Sequence, residues 1–223
     1  MMFDFLEGKA IIFDLDGVLV DSADCHYRAW KMIADKLGVD FDHEKNHLIR
    51  GVSRRESLMI IIDGQITLEE DAILELMEEK NNIYQNLISK SAKKLLLPGV
   101  IEFLEDLRKT PLKLAIASGS KNALALIDLV GLDKNCFDVI ISGKDFKKTK
   151  PDPEAFFMAA ESLNIEPENC LVIEDAPAGI DAAKKAGMGT FGIGKAYLGS
   201  CDIRSFSIAE AGVEAVFNYF AEI

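Results

Sequence analysis

Cysteine is scarce in this sequence, and its few positions are far apart. The cysteines are Cys25, Cys136, Cys170 and Cys201, and no two of them form a C-x-x-C pair. This spacing disfavours a zinc site or a disulfide framework and is typical of reduced thiols in a cytoplasmic protein. Cys25 adjoins His26, but adjacent residues on a helix do not face each other, which disfavours a Cys–His catalytic dyad.

Positive charge is also in short supply. Lysine and arginine number 25 against 37 aspartates and glutamates, so the formal net charge is −12. Such an acidic chain is unsuited to nucleic acid or to an anionic membrane surface as a partner. An anionic substrate would therefore need a local cluster of cations.

Long apolar runs are missing as well, because no segment is apolar over the length that a membrane helix needs. The N-terminal stretch carries Asp4 and Glu7 without a basic segment before an apolar run, so we do not expect a signal peptide. We expect a cytoplasmic protein with no membrane partner. A hydrophobic content of 49% is enough for an ordinary globular core.

Short runs of branched and aromatic residues predict five strands, with helical periodicity between them. The strands are predicted at 9–13, 112–118, 137–142, 170–174 and 189–194, and the helices at 100–109, 122–130, 154–163 and 178–186. Alternating strands and helices predict an α/β fold with a doubly wound, Rossmann-like parallel sheet. Ligands of such sheets bind at the carboxyl ends of the strands.

One segment interrupts this alternation. Residues 20–92 show helical periodicity and no convincing strand, and they are too many for a loop. We therefore predict a core of residues 1–19 and 93–223, into which a small α-helical cap domain, residues 20–92, is inserted.

The first predicted strand ends in two acids, Asp14 and Asp16. Residues two apart on a strand point to the same side, so these carboxylates repel each other and lose hydration if the site is enclosed. A lone D-x-D pair is usually a turn or a surface feature. Acids at a buried strand end, however, need a compensating partner.

The other strand ends supply such partners. A small-residue turn at 117–122 leads into a helix start suited to an anion, Lys150 follows the third strand, and Glu174 and Asp175 end the fourth. Acids and a lysine around an anion pocket indicate phosphate and a divalent cation such as Mg²⁺, which prefers oxygen ligands. A carboxylate can also attack phosphorus and form an aspartyl phosphate.

The segments "FDLDGVLVDS", "ASGSKN", "KPDPEAF" and "IEDAPAGIDAAKKAG" resemble, in order, the four motifs of the haloacid dehalogenase superfamily of phosphotransferases. The helical insertion after the first motif is similar to that superfamily's small cap. Within the cap, "HYRAW", "RGVSRRESL" and "EEKNNIY" resemble the β-phosphoglucomutase family. The resemblance covers essentially the whole chain.

The resemblance implies a role for each strand-end residue. Asp14 would be the nucleophile that becomes phosphorylated, and Asp16 the general acid and base that serves the sugar oxygen. Ser118 and Lys150 would hold the transferring phosphoryl group. The implied Mg²⁺ ligands are Asp14, the backbone carbonyl of Asp16, Asp175 and, close by or ligating, Glu174.

Spacing alone leaves the remaining candidates open. Arg54 fits a surface arginine or a bidentate phosphate ligand, and Lys80 fits the edge of an apolar stripe or an anion contact. Trp30 fits core packing, and residues 120–122 could cap a helix. The resemblance implies substrate binding by His26, Trp30, Arg50, Gly51, Val52, Ser53, Arg54, Lys80, Ser118, Gly119, Ser120, Lys121, Asn122 and Lys150. It also implies that His26 links cap closure to the general acid.

The implied activity is that of a Mg²⁺-dependent phosphosugar mutase that interconverts β-D-glucose 1-phosphate and D-glucose 6-phosphate. Its intermediate and primer would be β-glucose 1,6-bisphosphate, its partner a small phosphosugar, and its state a monomer. A sugar-phosphate phosphatase of the same superfamily is the alternative. A non-catalytic phosphosugar-binding module is disfavoured because the acids and Lys150 are all in place.

Overall fold

The computed structural model describes residues 3–49, 52–195 and 197–223, which fall into two compact units. The core unit consists of the chain up to Asp21 together with Leu96–Ile223, and the helical unit is Ser22–Leu95. The predicted boundaries were 19/20 and 92/93. Val20 lies in the core unit because its backbone bridges both Asp16 and Leu96.

A six-stranded, wholly parallel sheet forms the centre of the core unit, in the order β3-β2-β1-β4-β5-β6. The strands are β1 (Ala10–Phe13), β2 (Lys113–Ala117), β3 (Val139–Ile141), β4 (Cys170–Glu174), β5 (Gly189–Ile193) and β6 (Ile203–Ser205). The chain order reverses between β1 and β4, the kind of switch point where doubly wound sheets bind ligands.

Helices cover both faces of this sheet, which confirms the predicted doubly wound α/β fold. The helices of the core unit are α5 (Val100–Leu107), α6 (Ala123–Val130), α7 (Glu154–Leu163), α8 (Pro177–Lys185), α9 (Ile208–Ala211) and α10 (Glu214–Glu222). Ile12 packs in a cluster with Phe156 of α7, whereas its neighbour Phe13 meets Phe103 of α5 with ring centroids 6.3 Å apart. Adjacent strand residues point to opposite faces, so β1 is buried on both.

The five predicted strands are all present, and the structure also contains β6, α9 and α10, which the sequence patterns do not predict. β6 has three residues, all of them partly or fully exposed, and it pairs only with β5 among the described strands. An edge strand of this kind lacks the apolar run that revealed the others.

Every regular element described in the helical unit is a helix. These are α1 (Ala23–Leu37), α2 (His43–Leu48), α3 (Arg54–Ile62) and α4 (Glu70–Ser91), followed by a 3₁₀ turn at Ala92–Lys94. The apolar faces of α1, α3 and α4 meet in a separate core that includes Trp30, Ile33, Ile61 and Ile73. None of the helices in the described ranges is both long and apolar enough to span a membrane.

Strand register places the polar residues of the core unit side by side. Phe13 lies opposite Ile116 on β2 and opposite Ile173 on β4. The next residue, Asp14, therefore lies level with Ala117 and Glu174 at the carboxyl edge of the sheet.

Candidate active site

Lys150 connects three strand ends of the core unit. Its Nζ donates to Asp14 Oδ1 at 2.5 Å, to Glu174 Oε1 at 2.7 Å and to the carbonyl oxygen of Ala117 at 3.3 Å. Lys150 and Asp14 are each 7% exposed and Glu174 is 2% exposed. The structure thus brings the predicted acids of β1 and β4 together through the predicted lysine.

The loop before α7 holds Lys150 in this position. Glu154, the first residue of α7, accepts a hydrogen bond from the backbone N–H of Lys148 at 2.7 Å. Lys185 of α8 donates to the Pro151 carbonyl at 3.0 Å. The Lys150 ammonium also lies 4.8 Å from the ring centroid of Phe156, a cation–π distance. The loop is therefore fixed on both sides of Lys150.

Glu174 is fixed by both of its carboxylate oxygens. While Oε1 accepts from Lys150, Oε2 accepts from the backbone N–H of Ala176 at 2.7 Å. The side chain lies against Gly179 of α8, where an added Cβ would be 2.5 Å from Glu174 Cγ and closer still to the carboxylate. Only glycine at position 179 leaves room for the Glu174 side chain, and no such role for Gly179 is predicted from the sequence.

Burial and neighbouring charges raise the pKa values of two members of this cluster, Asp14 and Lys150. Burial, together with the neighbouring carboxylates of Glu174 and Asp16, raises the pKa of Asp14 well above its usual range, although Lys150 opposes the shift. Burial acts to lower the pKa of Lys150, but the charges of Asp14 and Glu174 outweigh it and raise that pKa. Burial is thus the main cause of the raised pKa of Asp14, whereas the raised pKa of Lys150 comes from the two carboxylates that contact its ammonium group.

The carboxylate oxygens at these strand ends are ligands of the kind that a divalent cation such as Mg²⁺ prefers. Asp14 and Glu174 are buried beside each other, and the Asp175 carboxylate lies against the backbone of Gly17. Within the described residues, no three His, Cys, Asp or Glu side chains are grouped as a complete metal site. Mg²⁺ usually takes only one or two carboxylates and completes its shell with water and phosphate oxygens, so the donor set is compatible with it.

The loop after β2 carries the predicted anion-binding residues of the core unit. Ser118 is 1% exposed, and its Oγ accepts from the backbone N–H of Ser120 at 3.1 Å. Ser120 Oγ in turn accepts from the N–H of Asn122 at 3.2 Å, directly before α6. Gly119 and Lys121 are exposed between them. The loop is thus a tight turn whose hydroxyls and amides lead into a helix start.

A second polar cluster lies in the helical unit. Lys80 of α4 is 3% exposed, and its Nζ lies 2.8 Å from His26 Nδ1 of α1. The same ammonium lies 5.0 Å from the ring centroids of both Trp30 and Tyr84. Burial, followed by the charges of Lys80 and Arg54, lowers the pKa of His26 well below its usual value. His26 is therefore neutral near pH 7, and its Nδ1 can accept from Lys80.

Arg54 begins α3 in the same unit. Ser53 caps this helix through a reciprocal pair of hydrogen bonds with Glu56, and Val52 precedes it, half-buried. Arg54 Nη2 donates to Asn81 Oδ1 of α4 at 2.9 Å. Its guanidinium is thus oriented by the neighbour of Lys80. Of the other predicted binding residues, Arg50 and Gly51 lie outside the described residues.

Some contacts of these clusters are not predicted by the sequence. The ring of Tyr84, for which no role is predicted, stacks on His26 with centroids 4.1 Å apart. Trp30, for which spacing allows only core packing to be inferred, packs in the helical core while also facing Lys80. An aromatic residue four positions from a buried lysine on one helix was the available signal.

Comparisons with known proteins agree with this arrangement. The haloacid dehalogenase-like hydrolase family matches residues 11–193. The β-phosphoglucomutase of Bacillus subtilis strain 168 is 42% identical over 190 residues, which cover 84% of each chain. The phosphorylated carbohydrates phosphatase of Thermotoga maritima is 36% identical over 186 residues, 81% of this chain and 82% of that one. A crystal structure of β-phosphoglucomutase from Clostridium difficile has a TM-score of 0.90 and 37% identity, covering 96% of this chain and 97% of that one.

Proposed function

Because this chain belongs to the haloacid dehalogenase-like hydrolase family, we propose that it is a phosphosugar mutase that interconverts β-D-glucose 1-phosphate and D-glucose 6-phosphate. The observation that carries phosphoryl transfer is the buried Lys150 between Asp14 and Glu174 at the switch point of the sheet. The choice of a mutase is supported by the similarity to the Bacillus subtilis β-phosphoglucomutase over most of both chains.

In the proposed reaction, Asp14 attacks the phosphorus of β-glucose 1,6-bisphosphate through a carboxylate oxygen. The bond from phosphorus to the sugar oxygen breaks, and Asp16 supplies the proton that this oxygen gains. In the reverse transfer a sugar hydroxyl loses its proton to Asp16 and attacks the phosphorus, and the bond from phosphorus to the Asp14 carboxylate oxygen breaks. General acid–base help of this kind contributes about 10²–10⁴-fold to a rate.

Lys150 and the Ser118 loop would position the transferring phosphoryl group. Phosphoryl transfer depends mainly on positioning and charge stabilisation. Lys150 supplies a positive charge, because Asp14 and Glu174 raise its pKa and keep its ammonium group protonated. Mg²⁺, held by Asp14, the Asp16 carbonyl and Asp175 with Glu174 nearby, would offset the charge on the phosphate oxygens. Its binding would also lower the pKa of Asp14 and keep that carboxylate ionised.

Further cations and polar groups would bind the rest of the sugar phosphate. A mutase that uses a bisphosphate needs a second phosphate contact, whereas a phosphatase needs only one. We propose that Ser120, Lys121 and Asn122 of the core unit serve substrate binding. In the helical unit we propose that Arg54 and Lys80 also bind the substrate. The guanidinium group of Arg54 is suited to a phosphate. We propose that the substrate-binding residues of the helical unit also include His26, Val52 and Ser53.

A sugar-phosphate phosphatase is the second candidate. It would use the same Asp14 chemistry, with water in place of the second sugar hydroxyl. The similarity to the Thermotoga maritima phosphatase, which extends over four fifths of each chain, favours this reading.

One experiment separates the two candidates. Purified protein with Mg²⁺, β-glucose 1-phosphate and a trace of β-glucose 1,6-bisphosphate is followed by ³¹P NMR, with α-glucose 1-phosphate as the matched control substrate. A mutase accumulates glucose 6-phosphate from the β anomer faster than inorganic phosphate. Release of inorganic phosphate without glucose 6-phosphate would identify a phosphatase, and binding without turnover of either anomer would contradict both candidates.

A further inference from the structure

Gly143 has no functional group, yet it lies against the backbone of the Ser118–Asn122 loop. An added Cβ on Gly143 would be 2.7 Å from the carbonyl carbon of Gly119, closer still to its oxygen, and 3.1 Å from the backbone nitrogen of Lys121. All of these atoms belong to the main chain. A side chain could rotate out of the way, but this backbone can yield only if the loop itself moves.

Backbone hydrogen bonds hold the same loop against the end of β3. The last paired residues of β2 and β3 are Ala117 and Ile141. Beyond them the N–H of Ser118 donates to the Ile141 carbonyl at 3.0 Å, and the N–H of Gly143 donates to the Ser120 carbonyl at 3.1 Å. These two bonds continue the contact between the strands and fix the loop at both of its serines.

The backbone of Gly143 does not itself require glycine. Its φ lies outside the left-handed region, so an L residue could adopt the same conformation. The need for glycine at this position therefore arises from the approach of the loop. Replacement by alanine isolates that approach, because it adds one methyl group and leaves the Gly143 N–H donor in place.

We infer that Gly143 is a positioning residue. Because it has no side chain, the end of β3 can hold the hydroxyl groups of Ser118 and Ser120 where they donate to a bound phosphate group. This inference rests on the proposed function, because it assigns the loop to phosphate. The crowding in Gly143→Ala would displace the loop by about 1 Å, and a shift of that size can cost about 10²-fold in rate.

The test compares Gly143→Ala with Lys144→Ala, which removes the exposed side chain of the next residue and crowds nothing. Calorimetry measures the affinity for inorganic phosphate in Mg²⁺, and steady-state kinetics measure kcat and KM for an aryl phosphate. We expect Gly143→Ala to bind phosphate at least tenfold more weakly and to lose about 10²-fold in kcat/KM. We expect Lys144→Ala to stay within threefold of wild type.

The outcomes separate this inference from the proposed function. A folded Gly143→Ala variant that matches wild type within twofold in phosphate affinity and kcat/KM overturns the inference alone. Wild-type protein that neither binds phosphate nor hydrolyses the aryl phosphate overturns the proposed function, and the inference with it.

A measurement on the wild-type protein decides the matter if the alanine variant does not fold. Amide hydrogen exchange is followed by NMR with and without saturating phosphate. We expect phosphate to slow exchange of the Gly143 N–H at least fivefold, because the loop that accepts its hydrogen bond becomes ordered. The Asp138 N–H, which donates to Leu114 at the other end of β3, is the internal control. Equal responses at the two amides would overturn the inference.

Discussion

Two buried lysines, one in each unit, are accommodated by different means. Lys150 of the core unit contacts the carboxylates of Asp14 and Glu174. Lys80 of the helical unit contacts the imidazole of His26 and lies over the rings of Trp30 and Tyr84. Both lysines are less than a tenth exposed, so both would be unstable as bare charges.

The surroundings of the two lysines indicate which changes would destabilise each unit. In the core unit opposite charges offset the desolvation of Lys150, and removal of one charge leaves the others unbalanced. In the helical unit the described contacts of Lys80 include two ring faces and a neutral imidazole, so the shape and protonation of these neighbours affect it directly. We therefore expect charge changes to have their largest effects in the core unit and smaller, more selective effects in the helical unit.

The largest expected effect comes from Asp14→Asn. The amide keeps the shape of the side chain but removes the nucleophilic oxygen that the proposed reaction needs. We expect glucose 6-phosphate formation and aryl phosphate hydrolysis both to fall by about 10⁴-fold or more. Initial rates under saturating Mg²⁺ measure both activities, and normal turnover of either substrate would refute Asp14 as the nucleophile.

Lys150→Met removes the positive charge that contacts Asp14 and Glu174. Methionine fills a similar volume but leaves Asp14 and Glu174 buried without their ammonium partner. We expect a loss of about 3–5 kcal/mol in the free energy of unfolding and a fall of at least 10²-fold in kcat. Urea denaturation and steady-state kinetics measure the two effects.

Lys148→Met is the matched control for this change, because Lys148 is exposed on the same loop and forms an ion pair with Asp152 at the surface. We expect it to change the free energy of unfolding by less than about 1 kcal/mol. Similar losses in the two variants would mean that the buried ion cluster has no special role.

In the helical unit, Arg54→Ala is expected to change the balance of activities. A ligand of the sugar phosphate matters more for a mutase than for hydrolysis of a small aryl phosphate. We expect mutase kcat/KM to fall about 10²-fold or more, as for the loss of a charged hydrogen bond, and aryl phosphate hydrolysis to fall less than threefold. Arg55→Ala, which removes an exposed partner of Glu70, is the control. An equal loss of both activities in Arg54→Ala would exclude Arg54 as a sugar-phosphate ligand.

The smallest expected effect is a pH dependence from His26. Burial lowers its pKa in the folded protein below the ordinary value of 6.5. Between the two values the unfolded chain binds more protons, so stability is lost as the pH falls below about 6.5, by at most about 1.4 kcal/mol per pH unit.

Denaturation of wild type and His26→Gln at pH 7.5, 6.5 and 5.5 measures this dependence. Glutamine cannot take up the proton, so we expect the variant to lose less stability between pH 7.5 and pH 5.5. Parallel curves for the two proteins would show that His26 does not titrate differently on folding.

Much of the fold could be predicted because buried parallel strands are continuous apolar runs. β4 was placed at its observed residues for this reason, whereas the polar, three-residue β6 left no such signal. The division into two units follows from the change of periodicity after β1. The exact boundary depends on backbone bridges of Val20, which no side-chain pattern reveals.

The candidate site was predictable only in part. Asp14 and Lys150 could be expected to converge because parallel strand ends share one edge of the sheet. The contact of Lys80 with His26 joins residues 54 positions apart, and helical spacing gives no pairing between separate helices. The approach of Gly143 to the Gly119 carbonyl is a contact between two backbones, which leaves no trace in residue type apart from the glycine itself.

The central claim is that Asp14 carries the phosphoryl group. The most direct test is rapid acid quenching of the protein during turnover of β-glucose 1,6-bisphosphate, followed by peptide mass spectrometry after borohydride reduction, which marks a phosphorylated aspartate as homoserine. Our account predicts the mark at Asp14, and not at Asp16, Glu174 or Asp175. A mark at any of those three acids, or turnover with no marked acid, would contradict it.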